Sequence, residues 1–185
     1  MKMTQYLRTQ AYNNAFANHR LLKACGQLSE SELVKERTSF FPSIIHTLNH
    51  ILIVDWFYVS GLEGACIRHA FNSEIPCPKF VDLEREQRAV DKRLIALCND
   101  LTEADLSKVI RLDRDTWVQE EPLDRVLLHL FQHQIHHRGQ VHSMLSGTSV
   151  KPPQLDEFFL GHEREVALRT EDFAELGFSE EEIWR

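Results

Sequence analysis

The sequence predicts an all-α protein, a four-helix bundle with a short C-terminal helical extension. Three observations carry this expectation: four long segments with apolar residues at helical spacing, connections of unequal length between them, and a chain of 185 residues. A chain of that size can bury a sizeable core without disulfides or other staples. The boundaries read as one domain over 1–185, its core at about 3–147 and the extension at about 148–185.

From Met3 to about Leu28, residues Tyr6, Leu7, Ala11, Ala15, Phe16, Leu21 and Leu22 recur at helical spacing with no proline, which predicts a first amphipathic helix. Gly26 and the SESE segment end it. A second long helix, opened by Ser39 or Pro42, runs through FFPSIIHTLNHILIVDWFYVSGL with apolar residues almost all round its axis. Such a helix is buried on most sides. Gly61 and Gly64 close it, and the stretch to Lys79, with Pro76 and Pro78, reads as a long connection. A third helix is expected from about Val81 to Cys98, with Leu83, Val90, Leu94 and Leu97 toward the core. The following SKVIRLDRDTWVQE alternates Val109, Leu112 and Trp117 with charges, as either a small β-hairpin or an extended crossover. Pro122 suits the start of a fourth long helix, which runs to Ser146 and is stopped by Gly147, Pro152 and Pro153. Beyond Leu160 two short helices are expected, the last opened by the capping box Ser179 to Glu182 and carrying Trp184.

The balance of 21 Lys+Arg against 28 Asp+Glu leaves a formal charge of −7, which argues against phosphate backbones and so against nucleic acid as a partner. Cys25, Cys66, Cys77 and Cys98 lie far apart with no C-x-x-C pair, the pattern of reduced thiols. The N-terminal MKMTQYLRTQ has no apolar signal core. The longest apolar run, Ile51 to Val59, is broken by Asp55 and is too short to span a bilayer. A cytoplasmic protein without membrane contact is expected.

Function is concentrated in LLHLFQHQIHHRGQVHSML, Leu127 to Leu145, where five histidines fall on one helix. At 100° per residue, Val126, Leu130, His133, His137, Val141 and Met144 share one narrow stripe. Two imidazoles thus sit in an apolar seam. At i, i+4 they project side by side and can share one metal ion, leaving the rest of the site to another element. The second long helix offers His46 and His50, and His50 shares its stripe with Ile53, Val54 and Phe57. Three histidines meeting in a bundle core leave a coordination position open, as in catalytic rather than structural zinc sites.

LNHILIVDWFYVSGL, with His50, and FQHQIHHRGQVHSML, with His133 and His137, together resemble the DinB-like (damage-inducible) family, whose hallmark is one histidine on the second helix and H-x-x-x-H-R-G-Q on the fourth. YNNAFANHRLL on the first helix is similar to the family's start, so the likeness spans roughly Tyr6 to Leu145. The resemblance implies a four-helix bundle, a homodimer, and a divalent metal held by His50, His133 and His137. It also implies kinship with transferases that use low-molecular-weight thiols, and a role in stress response. His46 has no counterpart in it, and the tail beyond Leu160 lies outside it.

Three neutral imidazoles leave an ion its double charge, enough to acidify a water or a thiol. The leading expectation is therefore a metal-dependent transferase that sets a thiol on a small electrophile. A metal-dependent hydrolase and a non-catalytic stress-related metal- or ligand-binding bundle are the alternatives. Zinc or nickel is the first choice of ion, with iron and manganese open, because imidazole suits all four. An H-E-x-x-H protease is excluded, since Gln134 stands where that motif needs a base. Asp55 is placed as a partner behind the ligands, as a base, or as an acceptor of core hydrogen bonds. Gln140 lies near the stripe and is expected to contact a group behind the ligands. Arg138 should pair with an acid, and Gly139 should permit close helix approach. His19, His69, His129, His136, His142 and His162 are expected to be solvated or interfacial. Trp56, Phe57, Tyr58 and Phe131 read as core, with Tyr12 or Tyr58 able to turn a hydroxyl to the cavity.

Overall fold

The structure, a computed structural model, describes residues 1–65 and 71–184. Cys66 and His69 lie outside the described residues. The elements in chain order are α1 (Met3–Cys25), α2 (Glu30–Val34), α3 (Ile44–Leu62), α4 (Phe80–Asp100), β1 (Val109–Asp113), β2 (Val118–Pro122), α5 (Leu123–Leu145), α6 (Glu163–Leu176) and α7 (Glu180–Trp184). Among the described residues the protein is all-α apart from one two-stranded sheet.

Helices α1, α3, α4 and α5 form the bundle. Asn14 and Asn18 of α1 meet Asp91 of α4, and Thr4 meets Glu103, so these two helices run antiparallel. Asp55 meets Gln87 and Ser60 meets Arg93, so α3 and α4 run parallel. His50 faces His137 and Tyr58 faces His129, so α3 and α5 are antiparallel. The order is up, down, down, up, with α1 beside α4 and α5 and diagonal to α3. Parallel neighbours such as α3 and α4 require a long return, which explains the unequal connections.

Several boundaries differ from the sequence reading. α3 begins at Ile44 because the Ser43 side chain accepts from the His46 amide, leaving Ser39 and Pro42 in a loop. That loop, 35–43, is folded back by Arg37, which grips Glu32 at 2.6 Å and donates to the carbonyls of Glu32 and Lys35. Gly61 does not end α3. It lies within the helix, where an added Cβ would come 2.5 Å from Leu112 of β1. The termination falls to Gly64, at φ 79°. The segment before α5 is a hairpin, with Val109 opposite Pro122 and Asp113 opposite Val118.

The tail builds a second apolar cluster on α1, with Tyr12, Phe16, Phe158, Phe173 and Ile183 all buried. Arg169 is only 1% exposed and ties α6 to α7 through Glu180, while donating to the carbonyls of Glu157 and Leu160. The α7 cap forms as expected, the Glu182 amide donating to Ser179 Oγ at 3.1 Å. No described helix is long and apolar enough to cross a membrane. Cys25, Cys77 and Cys98 are buried free thiols, and burial pushes those of Cys25 and Cys98 up to about 12.

Candidate metal centre

The apolar stripe of α5 meets α3 as the periodicity requires. Val126, Leu130, His137, Val141 and Met144 are all buried and His133 is half-buried. Across the interface, His50 projects from α3 at the same level. Nitrogen atoms of His50, His133 and His137 converge to within 4.8 Å of one another, and His50 Nε2 lies 3.0 Å from His133 Nε2. Nitrogen donors around one ion with bonds of about 2.0–2.1 Å at tetrahedral angles stand roughly 3.3 Å apart, so the cluster has the right span for a metal ion.

Electrostatics agree with that donor role. Burial, together with the neighbouring imidazoles, pushes His50 down to about 4 and His133 down to about 3. His137 is also lowered by burial, partly offset by its hydrogen bond to Gln140. All three rings are therefore neutral at neutral pH, with a lone pair to offer. His137 Nδ1 lies 2.8 Å from Gln140 Oε1, an acceptor, which puts the ring proton on Nδ1 and frees Nε2. His133 Nδ1 is buried and has no hydrogen-bond partner among the described residues. Its proton, required when Nε2 is a ligand, is left to the apolar surroundings.

Phe41, from the loop before α3, roofs the cluster. Its ring centre is 4.4 Å from that of His50 and 5.7 Å from that of His137. His46, four residues before His50, does not join the cluster. Its ring centre lies 4.9 Å from that of Phe41, and it reaches Glu74 at 3.5 Å. Among the described residues no carboxylate or thiol completes the trio as a fourth ligand.

Asp55 lies deeper and touches none of the three histidines by hydrogen bond. It accepts from Gln134 Nε2 at 2.5 Å and from Gln87 Nε2 at 2.6 Å. Gln87 also donates to Asp91, which accepts from Asn14 and Asn18, and both asparagine oxygens accept from Arg138. The result is one buried polar network joining all four bundle helices, with two carboxyl groups and one guanidinium. Burial raises both carboxyls, Asp55 further through Asp91, and lowers Arg138 to about 10. Arg138 was expected to pair directly with an acid; its hydrogen bonds go instead to amide oxygens, which stand between it and the acids. The signal for this network was in the sequence, as polar pairs at i, i+4 on buried faces: Asn14 and Asn18, Gln87 and Asp91, Gln134 and Arg138.

The remaining residues sort by position. Gly139 has open space where a Cβ would stand, so it permits no close helix approach and instead lines a cavity of about 520 Å³ against α1. His19 is interfacial but buried, between Arg88, Asp172 and Glu175. His142 meets the Pro153 carbonyl and His136 meets Gln140. His162 caps α6. Trp56 is only partly buried, whereas Phe57 and Phe131 are core. Tyr12 Oη accepts from Asn99, remote from the histidines, while Tyr58 Oη accepts from Arg114 beside His129. Phe41 and Arg114 escaped the sequence reading because each comes from a connection whose course only the folded chain decides.

The sequence profile of the DinB family matches residues 2–169. No curated protein sequence matches the chain significantly. Among solved structures, a crystal structure of a DinB-like protein from Bacillus cereus superposes with a TM-score of 0.59 at 18% identity, over 75% of this chain and 90% of that one. At that identity the likeness speaks for the fold.

Proposed function

The chain belongs to the DinB family, and from that premise we propose that His50, His133 and His137 hold a divalent metal ion, zinc or nickel before iron or manganese, in a transferase that sets a low-molecular-weight thiol on a small electrophile. The observation that carries the reading is the convergence of three neutral imidazole nitrogens from two helices, with no fourth protein ligand among the described residues. Held by His50, His133 and His137, an ion would keep its full charge beside neutral ligands and would lower the pKa of a thiol brought to it.

The chain's own groups support thiol over water. Hydrolysis gains from a base beside the nucleophile, yet Gln134 cannot take a proton and Asp55 is turned into the buried network. The same ion would act on either nucleophile, but a thiol starts from a pKa of about 8.5 against about 15.7 for water, so it has less need of such a base. Phe41 limits water at the cluster, and Gln140 fixes the His137 tautomer. The reading includes a cytoplasmic location and a homodimer, the latter tested by a sedimentation mass of twice the 21.6 kDa chain.

Elemental analysis of untagged protein, purified without nickel or chelator, tests the site against the double substitution His133→Ala, His137→Ala. About one ion per chain, lost in the variant, is expected. Absence of metal in both, even after incubation with zinc or nickel, would overturn the reading. Conjugation of thiols to electrophiles by the loaded protein then tests the activity.

A further inference from the structure

One helical turn before His133 the interface between α3 and α5 opens into a groove of about 310 Å³, roofed by the hairpin. His129 marks its inner end, its ring 6.2 Å from that of His133 and 5.3 Å from that of Tyr58. Leu112 and Val126 supply an apolar floor, and Arg114, Arg125 and Glu121 supply the charge.

Arg114 is held in place by neutral partners. Its Nε donates to Gln119 Oε1 at 3.1 Å, its Nη2 donates to Tyr58 Oη at 2.7 Å, and its guanidinium lies 4.6 Å over the Phe57 ring. Those bonds use two of the five N–H groups of a guanidinium. Neither Arg114 nor Arg125 forms an ion pair with any described residue, although most other arginines of the chain do. A planar fork, oriented by neutral partners and stacked on an aromatic face, is the arrangement that recognises a carboxylate in two-point contact. Within the groove's lining two arginines stand against the one carboxylate of Glu121, which suits one further anionic group, while Asp113 and Asp115 line a second cavity with Arg114.

We propose that this groove binds the carboxylate of a small molecule through Arg114, with Arg125 at its mouth, and directs the molecule's other end past His129 toward His133. The direction of the ligand rests on the metal-centre reading above; the carboxylate site does not.

The test uses the full-length, metal-free chain and two probes of equal shape, butyrate and butyramide, followed by NMR. Butyrate should shift the Arg114 Nε–H and Tyr58 signals saturably, bind at least about ten-fold more tightly than butyramide, and weaken with added salt. Arg114→Gln should abolish that preference. Arg114→Lys keeps the charge without the fork and should lose most of it, and the exposed Arg125→Gln should weaken butyrate several-fold in a fold left intact. Equal binding of the two probes, or an undiminished preference in Arg114→Gln and Arg114→Lys, would overturn the proposal. In the metal-loaded chain, 3-mercaptopropionate should likewise outbind 3-mercaptopropionamide. A chain that takes up no metal yet holds butyrate at Arg114 would overturn the function proposed above and leave the groove standing.

Discussion

Gln140 Oε1 accepts a hydrogen bond from His137 Nδ1 at 2.8 Å, three residues back along the same helix. The contact selects one tautomer and aims Nε2 at His50 and His133. Gln140 Nε2 meanwhile lies 3.1 Å from His136 Nε2, so the amide is itself oriented and its oxygen stays toward His137.

Gln140→Leu removes the acceptor but keeps the helix. Metal affinity should fall by about 10–100-fold, the usual cost of losing a partner behind a ligand. Competition with a chromophoric chelator reads it directly; unchanged affinity would mean that packing alone orients His137.

Phe41→Ala takes away the ring that covers His50 and His137. Transfer of metal to a chelator should quicken by about ten-fold or more, since the apolar cover controls solvent access. In the metal-free protein the His50 pKa should rise from about 4 toward the ordinary 6.5, because burial is the chief cause of its depression. NMR titration checks the second effect.

Asp55→Asn should change how stability depends on pH. The folded Asp55 carboxyl is raised above its ordinary 3.8 by burial and by Asp91, so across the intervening pH range the native chain holds a proton that the unfolded chain has released. Stability from this group is therefore lost as pH rises through that window. His50 and His133, lowered in the fold, act in the opposite sense, and their contribution is complete above about 6.5. Denaturation of the metal-free protein should thus show stability declining from pH 6.5 to 8, by at most about 1.4 kcal/mol per pH unit for one group. Asp55→Asn should flatten that decline. An identical slope in the variant would count against a raised Asp55.

Arg138→Met leaves the oxygens of Asn14 and Asn18 without their donor and two buried carboxyls without a counter-charge. A loss of about 3–5 kcal/mol is expected, the range for breaking a buried charge network at one partner. Adding Asp55→Asn should recover part of it, and urea denaturation of the four-member cycle measures the coupling.

The sequence by itself determined the four long helices, though not the short α2 formed by Glu30–Val34, and the level at which the chemistry sits. A 3.6-residue period is a property of local chain geometry, so the stripe from Val126 to Met144 and the placement of His133 and His137 within it could be read directly. His50 was legible from its stripe, shared with Ile53, Val54 and Phe57, and from the family resemblance. The tertiary structure decided which helices are neighbours, and with it that His50 and not His46 meets the α5 pair: a stripe says which face is buried but not against what. It also decided the site's borders. Phe41 lies in a folded-back loop and Arg114 next to a hairpin turn, where no periodicity constrains the course of the chain. Asp55 shows the division most plainly. Its burial followed from the helix, whereas its partners, Gln87 and Gln134, come from two other helices and were chosen only when the bundle closed around it.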